Sequence, residues 1–218
     1  MNVGRFIITK ADENGNPTNT DHFTVVLNNL QTFIKNHPED DVDLCALALA
    51  PILNHADKNK IKLFYRAFDQ KLIPTQEKLD ELTALEDILM IGYPNGIWDS
   101  VNNMPILRRG STATHPCIDY NGKKEFMIDA ACFPGSSGSP VLIYNASGYA
   151  TKSGGINMGN RILLVGILYA GPQHTATGEL QVVTVPNFQQ TVAFSRIPNN
   201  LGVVIKSERI LELEKLFK

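Results

Sequence analysis

Phe133-Pro134-Gly135-Ser136-Ser137-Gly138-Ser139-Pro140-Val141-Leu142 is the stretch on which the reading of this chain turns. A flexible glycine-serine linker would continue polar on both sides. Here Ile128-Asp129-Ala130-Ala131 precedes it and Val141-Leu142-Ile143 follows it. The small residues therefore read as a tight loop that ends in a strand, with Pro140 at the first strand position, where a missing N–H is tolerated. A serine hydroxyl is a poor nucleophile without a base beside it. The tetrahedral intermediate it forms places negative charge on an oxygen that needs fixed donors. Ser137, with Gly135 two before it and Gly138 directly after it to permit unusual backbone angles, is the candidate nucleophile. The α/β-hydrolase elbow is excluded, because G-x-S-x-G centred on Ser137 would need glycine where Ser139 stands.

Outward from this loop, the apolar segments are short and rich in β-formers. Phe6 to Thr9, Phe23 to Leu27, Val42 to Ala50, Ile88 to Tyr93, Ile106 to Thr112 and Phe126 to Ala130 read as strands. So do Pro140 to Tyr144, Ile162 to Ala170, Leu180 to Val185 and Gly202 to Ile205. Breaks such as Asp12-Glu13-Asn14-Gly15-Asn16-Pro17 and Pro94-Asn95-Gly96 separate them, and regularly spaced short strands predict barrels or a sandwich. Thr75 is placed to cap a short helix carrying Leu79 and Leu82. Ser207 is placed to cap a C-terminal helix with Ile210, Leu213 and Leu216/Phe217 on one face. The least patterned stretch, Asn54 to Lys78, reads as a crossover between two halves.

Composition narrows the function classes. The 218 residues are 43% hydrophobic and 19% charged, with a net charge of −2. That suits a globular chain with a real core, and the scattered positive charge predicts no nucleic-acid footprint. No apolar run approaches the ~20 residues that span a bilayer. Three cysteines, Cys45, Cys117 and Cys132, are too few and odd in number for a disulfide framework, which favours a reducing, cytoplasmic setting. No cofactor is implied, since neither a Walker A nor a dinucleotide fingerprint is present. No metal is implied either: Asp12-x-Asn14-x-Asn16 opens like an EF-hand loop, but Pro17 and Phe23 stand where glycine and glutamate are required.

The nucleophile loop resembles the G-x-S-G-[GS]-P signature of trypsin-like serine peptidases. In that family the N–H groups of the first glycine and of the serine form the oxyanion hole, here Gly135 and Ser137. A second motif, an Asp followed by aliphatic, small and aliphatic residues, is matched by Asp43-Leu44-Cys45-Ala46-Leu47, which makes Asp43 the residue that orients the catalytic base. Asp41 is the runner-up, but Asp43 stands two beyond it, where the pattern wants a small apolar residue. Ser136 replaces the aspartate that pancreatic members use to pair with a freshly cleaved N-terminus, so the likeness is to bacterial and viral members.

The resemblance implies an all-β fold of two antiparallel β-barrels of chymotrypsin type, the first incomplete, with a C-terminal α-helix. Residues 1–74 would be a remnant of the N-terminal barrel with the catalytic Asp, 75–206 the C-terminal barrel with the nucleophile loop, and 207–218 the helix. It implies an endopeptidase acting on polypeptide, with no nucleic acid and no membrane as partner. By the same token Ala131, six residues before the nucleophile, forms the floor of the pocket for the residue before the scissile bond. Tyr169-Ala170-Gly171 forms the wall that pairs with substrate backbone. With no acidic residue at 131, cleavage after Lys or Arg is not expected, and a small or apolar side chain is.

The mechanism requires a histidine ahead of Asp43. His22, in Asp21-His22-Phe23, lies too close to Asp43 and among the wrong neighbours, and reads as a hairpin residue. His37 reads as an exposed turn residue, and His55 falls in the polar crossover. His115 follows the Asp and ends a strand, and His174 sits in a loop that could line the cleft. Phe6-Ile7-Ile8 reads as a strand already in progress, so the expectation is that the base lies upstream of Met1. The rival expectation is a pseudoprotease that binds peptide or protein in the same cleft.

Overall fold

A computed structural model describes residues 2–178 and 193–217. It opens on a hairpin of β1 (Val3–Ala11) and β2 (Pro17–Asn28), paired antiparallel. Asp12 closes the turn by accepting the N–H groups of Asn14 and Asn16 on Oδ1 at 2.9 and 2.8 Å, the usual turn role of a short acidic side chain. A second two-stranded sheet joins β3 (Ile34–Asn36) to β4 (Cys45–Leu47). Helix α1 (Ala50–Lys58) follows, with Pro51 in its first turn, where no intrahelical hydrogen bond is lost. Ile52 of α1 packs with Val25 and Leu27 of β2 into a small core of its own.

Two expectations are corrected in this region. Val42 to Ala50 is not one buried strand: only Cys45–Leu47 pairs, because its partner β3 is three residues long. Asn54 to Lys58 is the second half of α1, not crossover coil. Its apolar positions Ile52 and Ala56 are four apart and both buried, a helical spacing too short to stand out in sequence.

Six of the described strands that follow build one closed barrel. Helix α2 (Gln76–Asp80) leads in, with Thr75 Oγ1 accepting the Lys78 N–H at 3.5 Å. The barrel strands are β5 (Asp87–Gly92), β6 (Ile106–Thr112), β7 (Glu125–Asp129) and β8 (Pro140–Asn145). After the small hairpin β9 (Gly148–Ala150) and β10 (Ile156–Met158) comes β11 (Arg161–Ala170). The hairpin β12 (Gln173–Gly178) and β13 (Ala193–Pro198) precedes β14 (Leu201–Lys206) and helix α3 (Glu208–Glu214). Around the barrel the order is β5-β6-β7-β14-β11-β8, closing back on β5, with every neighbour antiparallel. β5, β6 and β7 run consecutively and β8 returns beside β5, a Greek key. Closure leaves no open edge to this sheet.

Alternation explains the core. Ile88 and Met90 of β5, Phe126 and Ile128 of β7, and Val141 and Ile143 of β8 all point inward and are nearly or fully buried. Leu163 and Val165 do the same on β11 until its register shifts against β8 between Leu164 and Gly166. Gly166 sits where a Cβ would lie 2.2 Å from the Ile205 carbonyl, so only glycine lets β11 and β14 approach. One end of the barrel is tied by a buried ion pair between Glu86 and Arg161. Thr83 donates to Glu86, Arg161 donates to Asn145, and its guanidinium stacks on Tyr149.

Helix α3 lies where expected, but Ser207 does not cap it. Its backbone is already helical and its hydroxyl makes no capping bond, while its N–H donates to the Val165 carbonyl at 3.0 Å. Leu213 is buried. Glu212 and Arg209 reach the N-terminal half through His37 and Glu39, at 3.0 and 2.6 Å. Among the described residues no helix is long and apolar enough to cross a membrane. The expected strand from Leu180 to Val185 lies outside the described residues.

Candidate functional site

The loop between β7 and β8 is fixed by backbone hydrogen bonds on both sides of Ser137. The Ser136 N–H donates to the Phe133 carbonyl at 3.0 Å and the Ser139 N–H to the Ser136 carbonyl at 3.1 Å. Gly138 and Leu168 lock the loop to β11, the Gly138 N–H reaching Leu168 O at 2.7 Å and the Leu168 N–H reaching Ser139 O at 2.9 Å. On the far side Asn95, in the turn after β5, donates to Pro134 O at 2.7 Å. Gly135 has φ +83°, and a Cβ there would lie 3.1 to 3.4 Å from three backbone atoms of Tyr93, Asn95 and Gly96. Glycine is required at 135 both for the left-handed backbone and for the space.

Within this frame Ser137 is exposed and Ser136 is buried. Ser136 Oγ has no hydrogen-bond partner among the described residues. Neither the Gly135 N–H nor the Ser137 N–H donates to any described acceptor, so two backbone donors beside the Ser137 side chain are left open. Ser137 Oγ donates to the Tyr169 carbonyl at 3.0 Å. A carbonyl oxygen accepts a hydrogen bond but is far too weak a base to take the proton, so this arrangement holds the hydroxyl without activating it.

Two hollows meet at Ser137. One, of about 460 Å³, is lined by Asp43, Leu44, Cys45 and Ala46 from the N-terminal half, by Ser137 and Gly138, by Ile167 to Tyr169 and by Ile210 and Leu213 of α3. Asp43 and Ser137, 94 positions apart in the chain, therefore share one cleft. Asp43 is exposed, and no described residue hydrogen-bonds or pairs with its carboxylate. The other hollow, of about 290 Å³, is lined by Cys132, Phe133, Pro134 and Ser137 and by Leu168 to Pro172. Tyr169, Ala170 and Gly171 thus form one of its walls. Ala131 is not among its lining residues; its carbonyl instead accepts Nη1 of Arg108.

Two groups around the cleft, Tyr169 and Cys132, are held toward their protonated forms. Burial, the hydrogen bond from Tyr169 Oη to Glu125 at 3.0 Å, and the nearby Glu125 and Asp43 charges push the Tyr169 phenol up to about 12. It stays protonated near neutral pH. Burial pushes the Cys132 thiol up to about 11, against the pull of Arg108 and helped by Asp129, so it stays an unreactive thiol. Cys45, by contrast, is exposed and lies in the same cleft as Ser137.

No described histidine lines either hollow. His22 sits on β2, with Nε2 at 2.9 Å from the Val101 carbonyl. His37 is not the exposed turn residue expected from His37-Pro38. It is buried, accepts the Glu39 N–H on Nδ1 at 3.1 Å and bonds Glu212 through Nε2 at 3.0 Å. His55 lies on α1 and stacks on Phe23 at 5.7 Å between ring centres. His115 follows β6 and accepts the Cys117 N–H at 3.2 Å; burial and the nearby lysines 152 and 206 lower its pKa. The His174 side chain lies outside the described residues.

Sequence reasoning missed one side chain that lines this site and one that lies behind its loop. Cys45 was read only as the small residue of the Asp43 motif, although a polarizable thiol next to a candidate orienting carboxylate was itself a signal. Arg108 lies 23 positions from Ala131, and its contact depends on how the strands pair. No family model and no curated protein matches this chain.

Proposed function

We propose that this chain carries the nucleophile and the orienting carboxylate of a serine endopeptidase of the trypsin-like class, with Ser137 forming the acyl-enzyme. The carrying observation is the pair of open N–H groups, Gly135 and Ser137, beside an exposed serine hydroxyl on a loop held by both flanks. Such fixed donors are what a developing oxyanion needs. The Greek-key barrel supports the reading, since a closed antiparallel barrel is what the resemblance implies for the C-terminal half. The N-terminal half, residues 1–74, would correspond to the part of the first barrel that bears Asp43.

In this reading Asp43 orients an imidazole, and the 460 Å³ hollow between it and Ser137 is the room for that imidazole and the substrate backbone. An imidazole bound there would take the Ser137 proton away from the Tyr169 carbonyl. The Gly135 and Ser137 N–H groups would then receive the oxyanion. Imidazole added to the solution tests this directly. A fluorophosphonate probe should label Ser137 slowly alone and faster as imidazole rises to tens of millimolar, and Ser137→Ala should abolish the labelling. Equal labelling of several surface serines, with no imidazole dependence, would remove the ground for the proposal.

The second reading is a peptide-binding pseudoprotease. It is favoured by one observation, that Ser137 Oγ rests on a carbonyl while no described histidine lines the cleft. It predicts peptide binding with no imidazole-dependent labelling.

A further inference from the structure

Strand β4 pairs with β3 and with no other described strand, so one of its edges is free. In an antiparallel pair, hydrogen-bonded and non-hydrogen-bonded residues alternate. The Leu44 carbonyl accepts the His37 N–H at 2.8 Å, and the Ala48 N–H donates to Phe33 O at 2.9 Å. Leu44 O, both main-chain groups of Ala46 and the Ala48 N–H therefore face β3, while Cys45 and Leu47 turn theirs the other way. No described residue bonds the N–H or the C=O of Cys45 or Leu47. Four consecutive residues, Asp43 to Ala46, line the 460 Å³ hollow together with Ser137. Side chains alternate along a strand, so an unbroken run of lining residues presents the backbone itself to the hollow.

The hollow does not end at β4. Ala46, Ile210 and Leu213 also line a second hollow of about 420 Å³, bordered by Phe68 and Phe217, both roughly half exposed. The two hollows make one groove, apolar for most of its lining, that runs from Ser137 over α3. Its charged lining residues are all acidic, Asp43 in the first hollow and Asp69 and Glu214 in the second, and no lysine, arginine or histidine lines either. Asp69 is exposed, with Oδ1 accepting the Lys71 N–H at 2.8 Å. We infer that this groove docks an extended polypeptide segment by strand addition to the free edge of β4, with alternate apolar side chains in the groove and a lysine or arginine beside Asp69. Open main-chain donors and acceptors select a strand over a helix or a lipid chain. The apolar lining selects its side chains, and charge of one sign selects its basic residue. This edge is distinct from the wall at Tyr169 to Gly171. The inference deepens the reading of the Ser137 cleft as a polypeptide site, on which it rests, and asks nothing of the chemistry at Ser137.

Peptide binding tests it without turnover. The probe is a dye-labelled heptapeptide with lysine at both ends and valine alternating with threonine between them, titrated by fluorescence polarization. Two further versions carry backbone N-methyl groups, one on its valines and the other on its threonines. Methylating the set that faces β4 should weaken binding at least about tenfold, and methylating the other set should change it less than about twofold. Replacing both lysines with glutamate should weaken binding about three- to tenfold, a gap that shrinks with added salt and in Asp69→Asn, which keeps the oxygen that accepts the Lys71 N–H. Phe217→Ser should weaken every version alike. The comparison of the two methylated peptides uses the unaltered protein, so misfolding of a variant leaves the test intact. Equal binding of those two versions would overturn strand addition. A dimer of the chain, seen by sedimentation, that the peptide fails to dissociate would give the edge to a second copy and overturn it too. Asymmetric binding without imidazole-dependent labelling of Ser137 would leave the docking standing and remove the peptidase reading. Labelling without peptide binding would do the reverse.

Discussion

Replacing Gly135 with alanine separates the site from the fold. Its φ of +83° places it in the left-handed region, where a Cβ costs roughly 1–2 kcal/mol. Gly15, in the β1–β2 turn, has nearly the same φ, +82°, yet a Cβ there meets nothing within 4 Å. The two substitutions therefore share the backbone penalty and differ in the space around the new methyl. At 135 the methyl would press on the Tyr93 carbonyl at 3.1 Å and the Asn95 N–H at 3.2 Å. The Asn95 contact matters because that same N–H anchors Pro134. Relief of the crowding must move the Gly135 peptide or the turn after β5, and either would shift the two N–H groups proposed as oxyanion donors. Both variants should lose about 1–2 kcal/mol in urea unfolding, with Gly135→Ala at or above the upper end. Imidazole-dependent labelling of Ser137 should fall in Gly135→Ala alone, by about 10²-fold if one donor is effectively lost. If both variants labelled Ser137 at the wild-type rate, the assignment of Gly135 to an oxyanion hole would be wrong.

Other outcomes follow from the same geometry. Glu86→Ala leaves Arg161 buried without its carboxylate and should cost about 3–5 kcal/mol in denaturant unfolding; a loss under 1 kcal/mol would mean that Asn145 and Tyr149 suffice to hold Arg161. Iodoacetamide at pH 8 should modify exposed Cys45 first and leave Cys132 unmodified. A thiol pushed up to about 11 is only roughly a thousandth thiolate at that pH, and peptide mapping would read the order. Because Cys45 lines the cleft with Ser137, its alkylation should also slow Ser137 labelling, whereas the Cys45→Ser protein should be indifferent to the reagent. Asp43→Asn should lower the imidazole-dependent part of the labelling rate about ten- to a hundredfold, the worth of a hydrogen bond to a charged group, and leave the imidazole-independent part unchanged. A uniform fall in both parts would give Asp43 a purely structural role.

Much of the barrel was readable because its strands alternate. Ile106 to Thr112 falls on β6 residue for residue, and Pro140 to Tyr144 falls one residue short of β8. The tight loop around Ser137 was readable because the small residues stand between two apolar runs, which become β7 and β8. The N-terminal half was harder for a physical reason. Its strands β3 and β4 are three residues each, too short for alternation to declare itself, and they pair with each other alone, while the turn between them is tied to α3 through His37 and Glu39. His37 shows the cost: beside Pro38 it looks like a surface turn, and only Glu212, 175 positions later, explains its burial. Ser207 failed as a cap for a related reason, since its backbone is committed to Val165 and is helical before the helix begins.

Arg108 marks the boundary between what a pattern can and cannot say. Alternation along Ile106-Leu107-Arg108-Arg109-Gly110-Ser111-Thr112 puts one arginine on each face, and the parity of Ile106 and Thr112 assigns Arg108 to the inner one. That much is legible, and a charge on the inner face of a barrel strand is a local rule broken for a reason. The reason is not legible, because it depends on which loop closes over the end of the strand. The chain leaves β7 at Asp129 and turns through Ala131 to Phe133, and that turn brings a carbonyl and an aromatic face to the guanidinium. The same turn leads directly into the nucleophile loop. Ala131, six residues before Ser137, thus meets Arg108 through its carbonyl and is not among the residues lining the hollow beside Ser137.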